Sequence, residues 1–246
     1  MENLPISLGQ NKLIECIFEI RFNEAIESEV LFANVYTLLS TEGFTHKKTQ
    51  HADLPDEILK KDPIFEFMSF YKFNNKNYNV QIGPKVINIS ITAPYKGWED
   101  FSIFLNDKVT KFSNLIEKRT IKQISMRYVN FFDGINIFDN INIEIKDEFL
   151  CSDFTASKKR GYRTLINCND MEMSLQIDNS VGIRQELDKK EKKGSIIDID
   201  LKSDIKITNS SEIIQNAEEL HNRIKETFFN ILKEEYVKNL EPKFKE

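Results

Sequence analysis

Short segments in which apolar residues alternate with polar ones recur along the chain, and they restrict the fold more than any other sequence feature. Clear examples are Leu13–Phe22, Val86–Thr92 and Ser195–Leu201, which are rich in β-branched or aromatic residues. The tetrapeptide Asn74–Asn77 and the pair Gly83-Pro84 separate neighbouring segments and are typical of tight turns. This pattern predicts the strands of antiparallel sheets.

Three other segments have the 3.6-residue periodicity of amphipathic helices. They run from Glu27 to Ser40, from about Trp98 to Lys118, and from Ser211 to Asn239. Because each has a single apolar stripe, we expect each helix to pack across a sheet. The predicted fold class is therefore α+β, with antiparallel sheets covered by long helices.

Two short patterns each occur twice. An arginine precedes an aromatic residue at Arg21 and at Arg127, and Ile87–Ile91 has the same alternation as Ile197–Leu201. The offsets from the arginines are similar, 87 − 21 = 66 and 197 − 127 = 70, and an amphipathic helix follows each time. These matches predict an internal duplication, with related α+β halves over residues 1–120 and 121–246 packed as one unit. Chance recurrence of apolar alternation is the alternative.

Composition excludes several classes of protein. The 246 residues include 34 basic and 39 acidic side chains, a net charge of −5, which does not favour general nucleic-acid binding. No apolar run approaches the roughly 18–20 residues of a membrane-spanning helix. The opening residues lack the pattern of a secretory signal, and three widely spaced cysteines suit a reducing compartment. We therefore expect a cytoplasmic protein without membrane contact.

Several motifs together resemble a sporadically distributed family of uncharacterised prokaryotic proteins. The motifs are Leu4-Pro5, Glu19-Ile20-Arg21-Phe22, Ile82-Gly83-Pro84, Tyr95 with Trp98, Arg127-Tyr128-Val129-Asn130, Asp198-Ile199-Asp200, and Leu220-His221 with Phe228. Their order spans nearly the whole chain. Residues Ser7–Asn11 depart from the family pattern, because the family usually continues directly into the first strand.

The resemblance implies little chemistry, since it supplies no catalytic residues. The patchy occurrence of the family is similar to that of defence-associated genes. The resemblance therefore implies a non-catalytic interaction or recognition subunit of a larger prokaryotic system, such as antiviral defence, with a protein partner. A homo-oligomer is compatible with the same hypothesis.

Four polar residues on predicted strands form a candidate ligand or anion clamp: Arg21, Arg127, Asp198 and Asp200. Two arginines in related halves can bind an anion in bidentate fashion, and the two aspartates project from one strand face. If all four converge in a cleft, an enzyme is a further hypothesis. The structural alternative is that the arginines form ion pairs with Glu15, Glu19 or the two aspartates.

Two basic segments suggest a second class of function. They contribute the candidate nucleic-acid contacts Lys158, Lys159, Arg160, Arg163, Lys189 and Lys190. Lysines and arginines at one end of a sheet can contact phosphates, although charged hairpin tips are often only solvated. No phosphate-binding, dinucleotide or hydrolase fingerprint is present, and no histidine lies at zinc-site or triad spacing. We therefore predict neither a cofactor nor a metal, and these features favour a protein that is not an enzyme.

Overall fold

The computed structural model describes residues 4–144, 158–184, 191–204, 207 and 209–244. Within these ranges the chain forms eleven strands and six α-helices. The strands are β1 (Ser7–Leu8), β2 (Leu13–Phe22), β3 (Thr45–Lys48), β4 (Tyr71–Asn75), β5 (Tyr78–Gly83), β6 (Val86–Thr92), β7 (Ile121–Asp133), β8 (Gly161–Cys168), β9 (Met171–Arg184), β10 (Glu191–Ser203) and β11 (Pro242–Lys243). The helices are α1 (Ser28–Ser40), α2 (Asp56–Lys61), α3 (Trp98–Lys111), α4 (Ser113–Ile116), α5 (Ser210–Ile231) and α6 (Glu234–Asn239).

Nine of these strands form one antiparallel sheet in the order β3-β4-β5-β6-β2-β7-β10-β9-β8. The remaining two, β1 and β11, pair with each other and bring the two ends of the described chain together. The predicted α+β class with antiparallel strands is confirmed. Instead of several similar sheets, the described residues form one large sheet and a two-stranded ribbon.

The alternation in β2 determines which side of the sheet carries the core. Cys16, Phe18, Ile20 and Phe22 are fully buried, whereas the residues between them are only partly buried. Helix α5 packs against β7 and β10, α3 against β6 and α5, and α1 against β5. Because the apolar residues of the sheet and of these helices belong to one cluster, the helices lie on the buried side. We call the opposite side the open face.

Two predicted helices end earlier than their apolar stripes suggest. Helix α3 ends at Lys111, and Phe112 leaves the helical conformation before the four-residue helix α4 begins. Helix α5 ends at Ile231, because Leu232 and Lys233 have extended backbone conformations before α6 begins. Periodicity continues across both breaks, so the sequence pattern alone does not reveal them.

The sequence pattern also predicts strands at Ile64–Phe73, Met171–Asp178 and Val181–Leu187 and a polar loop at His46–Lys61, and several of these boundaries are wrong. The strand predicted from Ile64 begins only at Tyr71, since Pro63–Phe65 forms a 3₁₀ turn. Residues Thr45–Lys48 form β3, although the predicted loop begins at His46. The two strands predicted after Met171 are one continuous strand through the described residues to Arg184. Of the helices in the described ranges, none has the length and apolar character needed to cross a membrane.

The predicted apolar stripe of α3 can be tested by truncation. Phe112 is fully buried in the main cluster, so Phe112→Ala should lower the free energy of unfolding by about 3–5 kcal/mol. Ile103 lies on α3 but is 67% exposed, and Ile103→Ala should change the free energy of unfolding by less than about 0.5 kcal/mol. Urea unfolding followed by circular dichroism measures both. Equal losses in the two variants would contradict this assignment of the buried face.

Candidate functional site

Charged side chains occupy the centre of the open face, where β7 lies between β2 and β10. Arg127 donates from Nε to Oδ1 of Asp198 at 2.8 Å and from Nη2 to Oδ2 at 2.5 Å. The Asp198 side chain is 10% exposed and that of Arg127 is 47% exposed. This bidentate pair has the strongest geometry available to an arginine and a carboxylate, and it uses both oxygens of Asp198.

Two more carboxylates lie near Arg127. Asp200 is directly opposite Arg127 in the β7–β10 pairing, and Glu15 is opposite Val129. Neither carboxylate accepts a hydrogen bond from any residue that the structure describes. Burial raises the pKa of Asp200 and of Glu15, and the nearby guanidinium of Arg127 opposes this shift in both. The cluster therefore holds three carboxylates around one arginine.

Arg21 has different partners. Its Nε donates to Glu19 at 2.5 Å and its Nη1 donates to Gln123 at 3.1 Å, while the guanidinium lies 4.7 Å from the centre of the Phe67 ring. Arg127 on β7 is opposite Ile17 on β2, and Ile17 is four residues from Arg21. The two arginines are therefore separated by roughly 13 Å along the strand direction, at 3.3 Å per residue. Both lie on the open face.

The register of the strands explains why the two arginines differ. Arg21 is opposite Val86 on β6, whereas Arg127 is opposite Asp200 on β10. An open cleft of about 540 Å³ lies beside Arg21 and is also lined by Glu19, Phe67 and Asn88. Neither Arg127 nor the two aspartates line this cleft. The four predicted clamp residues thus share a face but do not converge on one cleft.

The predicted basic contacts lie at the far end of the sheet. Lys158, Lys159 and Arg160 immediately precede β8, and Arg163 lies on this strand, exposed on the open face. Lys189 and Lys190 lie outside the described residues. Four of the six candidate residues therefore cluster at the start of one edge strand.

A buried polar cluster lies under the helices, on the other side of the sheet from Arg127. The Tyr128 hydroxyl is 2.6 Å from Nδ1 of His221, and the indole of Trp98 stacks on the imidazole with centroids 4.2 Å apart. Trp98 donates from Nε1 to Glu218 at 2.5 Å. Burial, with a smaller contribution from Lys225, lowers the pKa of His221 to about 3. His221 is therefore neutral at pH 7 and joins α5 to α3 and β7.

Strand β8 lies at one edge of the described sheet, and most of its residues are exposed. Among the strands that the structure describes, β8 pairs only with β9, so its other edge has no partner strand. Leu165 is 62% exposed and Ile166 is 48% exposed, and they point to opposite faces. Arg163 is the only charged residue of this strand. An edge of this length with exposed apolar side chains can accept another strand.

The opposite edge of the sheet has the features that prevent such pairing. Strand β3 is only four residues long and carries Thr45, His46, Lys47 and Lys48, all of them exposed. Short edge strands with lysines resist the addition of a further strand. The two edges of the same sheet therefore differ in their capacity to accept a partner.

No protein-family model matches this sequence, and no curated protein is significantly similar to it. In the described part of the chain, no group of three or more histidine, cysteine, aspartate or glutamate side chains has the geometry to hold a metal ion.

Sequence reasoning missed the edge position of β8, although one signal was present. The run Tyr162–Cys168 contains no proline, lysine or carboxylate, the residues that commonly block edge strands. Which strands lie at the edges follows only from the pairing order, which a single sequence does not show.

The central carboxylates allow a matched comparison. Asp198→Asn weakens the two bonds to Arg127 and should lower the free energy of unfolding at pH 7 by about 1–3 kcal/mol. Asp200→Asn removes a half-buried charge that accepts no hydrogen bond from the described residues, so it should leave stability unchanged or raise it. Urea unfolding of both variants measures the difference.

The pH dependence of the Asp200→Asn variant provides the control. A raised pKa means that folding favours protonated Asp200, so ionisation costs stability as the pH rises through the folded pKa. The advantage of Asp200→Asn should therefore shrink when the pH is lowered to about 4, near the unfolded pKa. A loss in Asp200→Asn as large as that in Asp198→Asn would contradict this distinction.

Proposed function

We propose that the protein is a non-catalytic interaction subunit that binds an extended segment of a protein partner along the open edge of β8. The observation that carries the proposal is this eight-residue edge, with Leu165 and Ile166 exposed on its two faces. An added strand obtains main-chain hydrogen bonds from such an edge, and alternate side chains on each face provide specificity.

The chemistry of the edge defines the partner. Leu165 and Ile166 favour apolar residues near the middle of the incoming strand. Lys158 and Arg163 place positive charge at the beginning of β8, where the C-terminal end of an antiparallel partner would lie. The partner strand is therefore apolar in its centre and acidic at its C-terminal end.

The ion pairs on the open face support this function over an enzyme or an anion clamp. Arg127 donates two hydrogen bonds to Asp198. Arg21 donates one hydrogen bond to Glu19 and one to Gln123. Arginines that are already paired in this way stabilise the centre of the sheet.

We further propose that the chain belongs to the sporadically distributed prokaryotic family that it resembles, and that it acts within a larger system such as antiviral defence. The internal duplication is part of the same proposal. The strand order supports it, because β4-β5-β6-β2 and β8-β9-β10-β7 are arranged alike around the β2–β7 pair, and α3 and α5 each follow the third meander strand. The pairing of the two arginines differs in detail, because the residue opposite Arg21 is 86 − 21 = 65 positions later and the residue opposite Arg127 is 200 − 127 = 73 positions later.

A synthetic peptide tests strand addition. The peptide alternates threonine and valine and has two glutamates at its C-terminus. Fluorescence anisotropy of the labelled peptide measures its affinity for the protein, which is diluted to about 1 µM. Leu165→Lys places a charge on the open edge and should weaken binding at least about tenfold. Ile103→Lys changes an equally exposed apolar residue on α3 and should leave the affinity unchanged.

A peptide with the two glutamates at its N-terminus should bind more weakly, because its charge lies at the wrong end of β8. Equal affinity of the Leu165→Lys variant and the unaltered protein would contradict strand addition. Binding of a duplex oligonucleotide that is lost on replacing Lys158 and Arg163 by glutamine, with no peptide binding, would instead favour the nucleic-acid hypothesis.

A further inference from the structure

We infer that the strand bound at β8 is β8 of a second copy of this chain, paired so that Leu165 of one copy lies opposite Leu165 of the other. This inference rests on the proposed function, because it names the partner of the same edge. The pairing would join two nine-stranded sheets into one continuous sheet across a twofold axis.

Symmetry restricts how two such edges can pair. A twofold axis that relates two antiparallel β8 strands must be perpendicular to the sheet, so residues on one face pair with residues on the same face of the other copy. Tyr162, Thr164, Ile166 and Cys168 lie on the helix-covered side, since their β9 partners include the buried Leu175 and Ile177. Residues on one face have numbers that are all even or all odd. The residue numbers of two opposing residues must therefore add up to an even number, and this sum defines the register.

A sum of 330 gives the most favourable pairs. Leu165 then lies opposite Leu165, and Thr164 lies opposite Ile166, which covers the two most exposed apolar side chains of the strand. Arg163, the only charge, lies opposite the neutral Asn167. Cross-strand pairs of this kind stabilise a sheet, and no like charges oppose each other.

The neighbouring registers are less favourable. A sum of 328 places Leu165 opposite Arg163, and a sum of 332 places it opposite Asn167. Only the sum of 330 places the exposed leucine against another apolar residue. A single residue pair thus selects the register.

The ends of the strand add charge complementarity. At the 330 register, the basic segment that precedes β8 in one copy, which includes the exposed Lys158, is near the turn of the other copy that contains Asp170. The twofold axis repeats this contact at the other end. The basic start of β8 in each copy is therefore complementary to the acidic turn after β8 in the other copy, which fits a second copy of this chain.

The first experiment measures mass in solution. Analytical ultracentrifugation of the full chain should show a dimer that dissociates on dilution from about 200 µM to about 1 µM. Leu165→Lys should raise the dissociation constant at least about tenfold, because it opposes two lysines at the axis. Ile103→Lys, equally exposed but on α3, should dimerise like the unaltered protein.

The second experiment tests the register by cross-linking in a background with Cys151→Ser and Cys168→Ser. Opposing residues of antiparallel strands have Cα atoms about 4.5–5.5 Å apart, within the range of about 4.4–6.8 Å for disulfides. Mild oxidation should therefore join two copies of Leu165→Cys. Arg163→Cys and Asn167→Cys should not cross-link alone, but a mixture of them should form the heterodimeric disulfide.

The possible results separate this inference from the proposed function. A protein that stays monomeric at about 200 µM but still binds the peptide at β8 would overturn self-pairing and leave strand addition intact. Dimers that are insensitive to Leu165→Lys would contradict pairing through β8. A disulfide between two copies of Arg163→Cys would contradict the 330 register. Failure of both peptide binding and dimer formation would reject the proposed function as well.

Discussion

The antiparallel pairing of β2 with β7 holds the two parts of the nine-stranded sheet together. It joins residues that are more than 100 positions apart, such as Cys16 and Tyr128, and it connects the strands of both halves into one sheet. One side of this pair supplies Cys16, Phe18 and Met126 to the core beneath α3 and α5. The other side presents Arg127 and its carboxylates on the open face. A change in this register by one residue would exchange the two sides.

This central pairing also places β8 at the end of the sheet. From β7 the order of strands in the sheet continues through β10 and β9 to β8. Within the described residues, β8 is therefore the edge strand on this side of the sheet, and β3 is the edge strand on the opposite side. The sheet therefore has one short, lysine-bearing edge and one longer, apolar edge. The proposed strand addition follows from this asymmetry, whereas Arg21 and Arg127 on the open face are already paired with Glu19 and Asp198.

Much of the fold follows from local sequence patterns. Alternation predicts β2, β6 and β7, and apolar periodicity predicts α1 and the starts of α3 and α5, because each element has one buried side. The breaks at Phe112 and Leu232 are not predictable in this way, since the apolar stripe continues across them. Strand β3 is also missed, because an exposed edge strand has no apolar alternation to reveal it.

The candidate sites follow less directly from the sequence. The i, i+2 spacing of Asp198 and Asp200 correctly predicts that they share a face. Their different roles do not follow from the pairing register alone, because Asp200 is directly opposite Arg127, yet both hydrogen bonds from Arg127 go to Asp198. The stacking of Trp98 on His221 depends on how two distant helices cross. The exposure of Leu165 likewise depends on strand order, a long-range property.

Residue-resolved hydrogen exchange along β8 shows whether the outer edge of this strand accepts a further strand. In an antiparallel edge strand, alternate amides point towards the neighbouring strand and the remainder point outward. For dilute protein, the outward amides of β8 should exchange rapidly while those bonded to β9 are protected, and at high concentration the outward set should become protected too. Rapid exchange of the outward amides at every concentration, even with the strand-forming peptide added, would contradict the account.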